Sequence, residues 1–217
     1  MPSEQIENYI KNIYKIQSQE GKVTTSSLSK NLNISPASVS EMIKKLAEEG
    51  TLTHTPYKGV ELTEEGKHLA LRIIRKHRLW EMFLVDVLKF RWDEIDEEAE
   101  KFEHIMSDKM EDKIDHVLGH PLIDPHGDPI PTKEGEIICS MNYPLLEANE
   151  GTTVRVLRVS DADSELLQYV SSIGICLNKE IHVQQKMKFD GSLLITVDKK
   201  EINVSPKIAE SIFVENV

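Results

Sequence analysis

Glu100, Glu103 and His104 are the side chains of this chain best suited to hold a divalent cation. At about 100° per residue they fall within one narrow arc of a helix. Two carboxylates and an imidazole that converge this way suit a borderline-hard metal such as Mn(II) or Fe(II). Taken alone, the same three residues also fit a solvated acidic helix face that carries a histidine. Against that, they border an apolar stripe, and a half-buried carboxylate pair repels itself unless a cation or proton intervenes. His77 and Glu81 stand one turn apart on the preceding helix. An inward carboxylate without a partner is costly, and the i, i+4 spacing is that of HExxH-type ligand pairs. The intervening Arg78, Leu79 and Trp80 supply no general base, which argues against a protease. Neither group contains a cysteine, which disfavours structural zinc. Asp124-Pro125-His126 reads first as a turn; Asp124 and His126 are also donors for a metal held from a neighbouring element.

These side chains need elements to aim them. Residues 4–18 place Ile6, Ile10, Ile13 and Ile16 at helical spacing, and Gly21 ends that helix. Thr24 to Ser26 offer caps for a short second helix. Ser35 is an N-cap and Pro36 suits the first turn of a third helix, with Val39, Met42, Ile43 and Leu46 inward. TLTHT and GVELT are two short strands. Three helices and a hairpin make a winged helix-turn-helix. Its third helix turns Ser35, Ala37, Ser38, Ser40, Glu41 and Lys44 outward, small polar residues that let a helix approach base edges and phosphates. An ordinary helical surface would look the same. Tyr57 and Lys58 at the wing tip fit a contact with the DNA backbone.

A helix of about 25 residues is expected from Thr63, with Leu69, Ile73, Trp80, Leu84 and Leu88 as its stripe. A second long helix is expected from Trp92 to Leu118, with Ile95, Ala99, Phe102, Met106, Met110 and Val117 on its apolar face. Four prolines between Pro121 and Pro131 mark irregular chain, and a further short helix is expected within 134–146. From Thr152 the pattern is that of five short strands with one helix, DSELLQYV, between the first two, which fits a small β-barrel.

The net charge is −11, which on its own disfavours a nucleic-acid partner. Its distribution qualifies that: residues 1–64 carry net −1, residues 65–146 net −7, and residues 147–217 net −3. The acidity is concentrated where the candidate ligands are, and bound cations would offset it. Two scattered cysteines do not make a disulfide framework. With no apolar signal core and no run long enough to span a membrane, a cytoplasmic protein is expected.

The stretches "EN-YIKNIY", "SPASVSEMIKKL", "KGVELTEEG", "RKHRLWE", "EEAEKFEHIMSD" and "DPHGDPIP" together resemble the diphtheria toxin repressor family of iron- and manganese-dependent transcriptional repressors, three-domain type. The resemblance spans nearly the whole chain. It implies a mainly α fold with a small β domain. A winged helix (1–63) is followed by a helical metal-binding and dimerisation domain with its linker (64–146) and an SH3-like, FeoA-like barrel (147–217). It implies a homodimer bound to a double-stranded operator, repressing metal-uptake genes, with no catalytic residues. The primary metal set would be Asn8, Glu100, Glu103 and His104. The ancillary set would be His77, Glu81, Asp96, Asp124, His126 and Asp161, with Asp163 an alternative to Asp161. Iron-type members have Cys at the position of Glu100 and manganese-type members have Glu, so Mn(II) is expected ahead of Fe(II). Two positions depart from the pattern. Manganese members have Asp at the position of Asn8, and the short two-domain members have Glu at that of Lys11.

Two other readings compete. A di-metal carboxylate enzyme needs an E-x-x-H motif on each of two helices, and only one acidic cluster with an adjacent histidine is present. A metal-independent winged-helix regulator would bind its operator equally well with chelator and with Mn(II).

Overall fold

The computed structural model describes residues 3–55, 59–138 and 141–217. The chain divides into two compact units. The first is Met1–His77, Lys101–Glu111 and Pro131–Ile137, and the second is Arg78–Glu100, Asp112–Ile130 and Ile138–Val217.

In the first unit Ser3 caps α1 (Glu4–Glu20), accepting from the Ile6 N–H at 3.4 Å. Ile6, Ile10, Ile13 and Ile16 are all buried, each such side chain contributing about 1.5–3 kcal/mol of apolar burial. Gly21 closes the helix with φ 72°, a left-handed turn a glycine adopts without strain. Thr24 and Ser27 form a reciprocal capping box on α2 (Thr25–Leu32). Ser35 caps α3 (Pro36–Glu48), with Pro36 in its first turn. β1 (Leu52–Thr55) and β2 (Gly59–Leu62) pair antiparallel, Leu52 opposite Leu62. The isoleucine face of α1 packs with Leu28, Val39, Ile43, Leu46, Leu52, Val60 and Leu62 in one core. This is the expected winged helix.

α4 (Glu64–Asp86) follows, Thr63 Oγ1 accepting from the Gly66 N–H. Two shorter helices, α5 (Asp96–Glu103) and α6 (Asp108–Val117), stand where the sequence predicted one long helix. The break has a local cause. Ser107 starts α6 as a cap, its Oγ accepting from Met110 N and its carbonyl from Glu111 N. The register resets there, so Glu111 and Ile114 are buried while Met110 and Val117 are exposed. In the first unit Arg75 on α4 bonds Glu111 on α6 at 2.8 Å and the Pro131 carbonyl at 2.9 Å.

The second unit carries a six-stranded antiparallel sheet in the order β3-β8-β4-β5-β6-β7. Its strands are β3 (Tyr143–Pro144), β4 (Thr153–Val159), β5 (Glu180–Lys186), β6 (Leu193–Val197), β7 (Lys200–Val204) and β8 (Ile212–Asn216). α7 (Ser164–Ser172) and α8 (Pro206–Glu210) complete it. Alternate residues Val154, Val156, Ile181, Val183, Leu193, Ile195, Ile212 and Val214 form its core. The predicted helix in 134–146 is absent among the described residues, where the chain makes β3 and a 3-10 turn at Leu145–Glu147. β4 bulges between Val156 and Arg158. Gly127 sits against the bulge, where an added Cβ would lie 2.0 Å from the Leu157 carbonyl oxygen, and its φ is +94°. His126 O accepts from Val159 N at 2.9 Å. The 119–131 loop is therefore built onto the sheet.

Candidate metal centre and DNA-reading face

Among the described residues, one buried carboxylate–histidine cluster lies in each unit. The first joins α1 to α4 and to the end of α5. Glu103 is 1% exposed. His77 Nδ1 donates to its Oε2 at 2.5 Å and Lys11 Nζ to its Oε1 at 2.5 Å. Burial pushes the Glu103 carboxyl up, but the His77 hydrogen bond and the nearby His77 and Lys11 charges outweigh it, and the net shift is downward.

Beside it, His104 Nδ1 lies 2.6 Å from Glu7 Oε2. A carboxylate only accepts, so the ring donates from Nδ1. In the neutral ring Nε2 then carries the lone pair. It is buried without a hydrogen-bond partner, 3.4 Å from Glu103 Oε1. Asn8 Oδ1 is likewise buried and unbonded. Glu100 is half-buried, one turn before Glu103 on α5. Glu7 was not among the expected residues. The only signal for it in the sequence is that it immediately precedes Asn8 on the same helix.

The second cluster is Glu81, Asp124 and His126, at 1%, 3% and 1% exposure. Each offers a ligand atom within 4.8 Å of the other two. Glu81 comes from α4 and the other two from the loop, where Asp124 Oδ1 accepts from His126 N and Asp128 N, both at 2.9 Å. His126 Nε2 donates to the Trp92 carbonyl at 2.8 Å, and its ring stacks on Trp92. In the neutral ring Nδ1 then carries the lone pair; the atom is buried and unbonded, 3.7 Å from Glu81 Oε1. A lone pair facing a carboxylate oxygen is an arrangement that a cation completes. Arg78 Nε reaches Asp124 Oδ2 at 3.2 Å. Even so, burial and the charges of Glu81 and Asp128 push Asp124 up to about 7, against the pull of Arg78 and His126.

Asp96 is exposed at the start of α5, with a carboxylate oxygen within 4.8 Å of one from Glu81. Asp161 is half-buried. Asp163 is committed as the cap of α7, accepting from Glu165 and Leu166 N–H. His77 stays one turn from Glu81 on α4 and carries the bond to Glu103 described above.

On the third helix Ser35, Ala37, Ser38, Ser40 and Lys44 are all exposed. All three hydroxyls have local partners: Ser35 Oγ accepts from Ser38 N and bonds Ser38 Oγ at 2.9 Å, and Ser40 Oγ donates to the Pro36 carbonyl. Lys44 reaches Glu48 only at 4.0 Å and at 80% exposure, a pair of little energetic weight. Tyr57 and Lys58 lie outside the described residues.

A winged helix whose first helix meets a buried carboxylate–histidine cluster defines a DNA-binding regulator with a place for a metal. Family models cover most of the chain. Iron dependent repressor, N-terminal DNA binding domain, matches residues 1–60. Iron dependent repressor, metal binding and dimerisation domain, matches 63–132. FeoA domain matches 143–216. The diphtheria toxin repressor of Corynebacterium glutamicum is 26% identical over 97% of this chain and 96% of its own length. Among solved structures, a manganese-dependent transcriptional repressor in complex with manganese is 38% identical, covering 98% of this chain and 100% of that one, with a TM-score of 0.90. ScaR with bound Zn2+ is 34% identical with full coverage of both chains and a TM-score of 0.83. The chain belongs to the diphtheria toxin repressor family of iron- and manganese-dependent transcriptional repressors. Its function is that of a metal-dependent repressor. No helix among the described residues is long and apolar enough to cross a membrane.

Proposed function

We propose that this repressor reads Mn(II) ahead of Fe(II) and silences metal-uptake genes when the metal is plentiful. The observation that carries this reading is that α1 of the winged helix meets the end of α5 through Glu7 and His104. Asn8, Glu100, Glu103 and His104 are the primary ligands, with Glu7 orienting the His104 ring so that Nε2 is free to coordinate. The ancillary set centres on Glu81, Asp124 and His126, with His77, Asp96 and Asp161 as its further members. The donors fit such an ion. They are carboxylates, an amide oxygen and imidazole nitrogens without thiolate, and three of the atoms are buried and unbonded.

A bound divalent cation supplies the positive charge that lets these carboxylates share a buried space. The side chains do the rest. Residues 7 and 8 fix α1, and α1 packs on the core that carries the recognition helix. A homodimer then presents two recognition helices to successive half-sites. Val87, Leu88, Phe90, Leu122 and Ile123, all exposed in the second unit, supply apolar surface for that pairing. Ser35, Ala37, Ser38, Ser40 and Lys44, together with Tyr57 and Lys58, read the operator. Thin positive charge per copy makes affinity depend on the dimer.

The test is an operator selected from random duplexes and titrated with Mn(II), with Fe(II) and with chelator. Affinity is expected to rise at least tenfold with Mn(II) at equal free-metal concentration. Equal affinity in chelator would remove the metal switch, and a larger response to Fe(II) would remove the metal preference.

A further inference from the structure

Lys11 is among the few charged side chains buried in this fold, at 3% exposure. Lysine is almost never buried unless it is paired, because an ammonium loses its hydration there. The pairing here is with a candidate ligand. Lys11 Nζ lies 2.5 Å from Glu103 Oε1, and the Glu103 side chain is fully enclosed. The other oxygen of the same carboxylate takes the His77 bond at 2.5 Å. Both oxygens of Glu103 are therefore already engaged by donors of this chain.

The consequence is geometric and electrostatic. Lys11 and Glu7 lie one turn apart on α1, and each spans to the α5 end: the base to Glu103, the acid to His104. Side chains of α1 thus tie it to the α5 end. A metal that uses Glu103 must share an oxygen with an ammonium or turn it away. Two cations that compete for one buried carboxylate weaken each other, and the penalty is larger inside the protein than in water. Asn8 adds no negative charge to help the metal.

Resting on the reading that Glu103 is a metal ligand, we propose that Lys11 is a built-in rival cation. It sits in the metal's electrostatic place, holds α1 on α5 in the metal-free chain, and sets the concentration at which the site fills. It is a residue that tunes metal affinity rather than a ligand.

The experiment counts bound Mn(II) on the full chain, from the loss of the free aqueous Mn(II) electron-paramagnetic signal, for the natural protein, Glu103→Gln and Lys11→Met. Thermal melts in chelator accompany each. Glu103→Gln is expected to remove one class of site, which identifies it. Lys11→Met is expected to tighten that class at least tenfold while lowering the melting temperature in chelator. Lys11→Arg keeps the cation and is expected to bind no tighter than the natural chain. Lys11→Gln, whose neutral amide still donates, carries the test if Lys11→Met does not fold. Should Glu103→Gln leave every Mn(II) site intact, the underlying assignment of Glu103 fails. Should it remove a site that the neutral Lys11 variants leave unchanged or weaken, or Lys11→Arg tighten, the rival-cation proposal fails while the assignment stands.

Discussion

Glu103 and Asp124 are both buried carboxylates, at 1% and 3% exposure, beside histidines, and their charge states move in opposite directions. Glu103 is lowered, because His77 and Lys11 outweigh the effect of burial. Asp124 is raised to about 7, because burial, Glu81 and Asp128 outweigh Arg78 and His126. Burial is common to both, so it does not decide the outcome; the sign of the nearest charges does. The α1–α5 cluster brings its own counter-charge to Glu103, while His104 Nε2 and Asn8 Oδ1 beside it stay unbonded. The loop cluster sets the carboxylates of Glu81 and Asp124 close together beside an unbonded imidazole nitrogen of His126. At Glu103 the neighbours are cations of this chain, and at Asp124 they include two further carboxylates.

The largest effect that would break this contrast belongs to Glu103→Ala. Lys11 and His77 would then face no carboxylate inside the fold. Removing one partner of a buried pair costs about 3–5 kcal/mol, a large share of the stability of a domain. Urea unfolding in chelator measures it. The sign with pH follows from the lowered carboxyl: the stabilisation is present above the ordinary value of 4.5 and is lost as pH falls below it. The variant's deficit is therefore expected to shrink in acid. A deficit under about 1 kcal/mol at neutral pH would mean that this cluster is not self-sufficient.

Much of this was legible in the sequence, and the parts that were not have identifiable causes. The winged helix was readable because local signals agree there: Ser35-Pro36 starts a helix, Gly21 ends one, and the isoleucines of α1 keep strict helical spacing. The break between α5 and α6 was hidden because acidic and apolar residues continue at helical period through it, and only Ser107 marks the new start. β3 and α8 are too short to show a period. Glu81, Asp124 and His126 were readable as donors, but their convergence depends on a bulge in β4 that admits Gly127. The partners of Glu103 and His104 were not readable, since which side chain of α1 meets which of α5 is set by packing across more than 90 residues of chain.

A smaller effect sharpens the second half of the contrast. Asp124 has an ordinary value of 3.8 and stands near 7 in the fold. Between those values the folded chain keeps a proton that the unfolded chain has released. Metal-free stability is therefore expected to fall as pH rises from about 4 towards 7, by up to about 1.4 kcal/mol per pH unit, and to level off above 7. Mn(II) affinity moves the other way, rising through the same window because binding must release that proton. Asp124→Asn keeps the Oδ1 that accepts from His126 N and Asp128 N, and should flatten both profiles. Unfolding in chelator from pH 5 to 8 for both chains isolates the Asp124 part. Parallel profiles would show that Asp124 is already ionised in the fold.

The smallest effect carries the sharpest sign. Glu81→Gln removes a charge that helps raise Asp124 and lies 3.7 Å from His126 Nδ1. Its volume is nearly unchanged, so packing is kept. Metal-free stability should stay level or rise by roughly 0.5–1 kcal/mol as the repulsion is relieved, while Mn(II) affinity falls. At Glu103 the same substitution goes the other way in chelator, because there the charge is what Lys11 and His77 are bound to. Two buried glutamates thus give opposite stability changes for one chemical edit. A Glu81→Gln chain less stable than the natural one by more than about 1 kcal/mol would make Glu81 a structural partner in the manner of Glu103, and the loop cluster would then be held together without needing a cation.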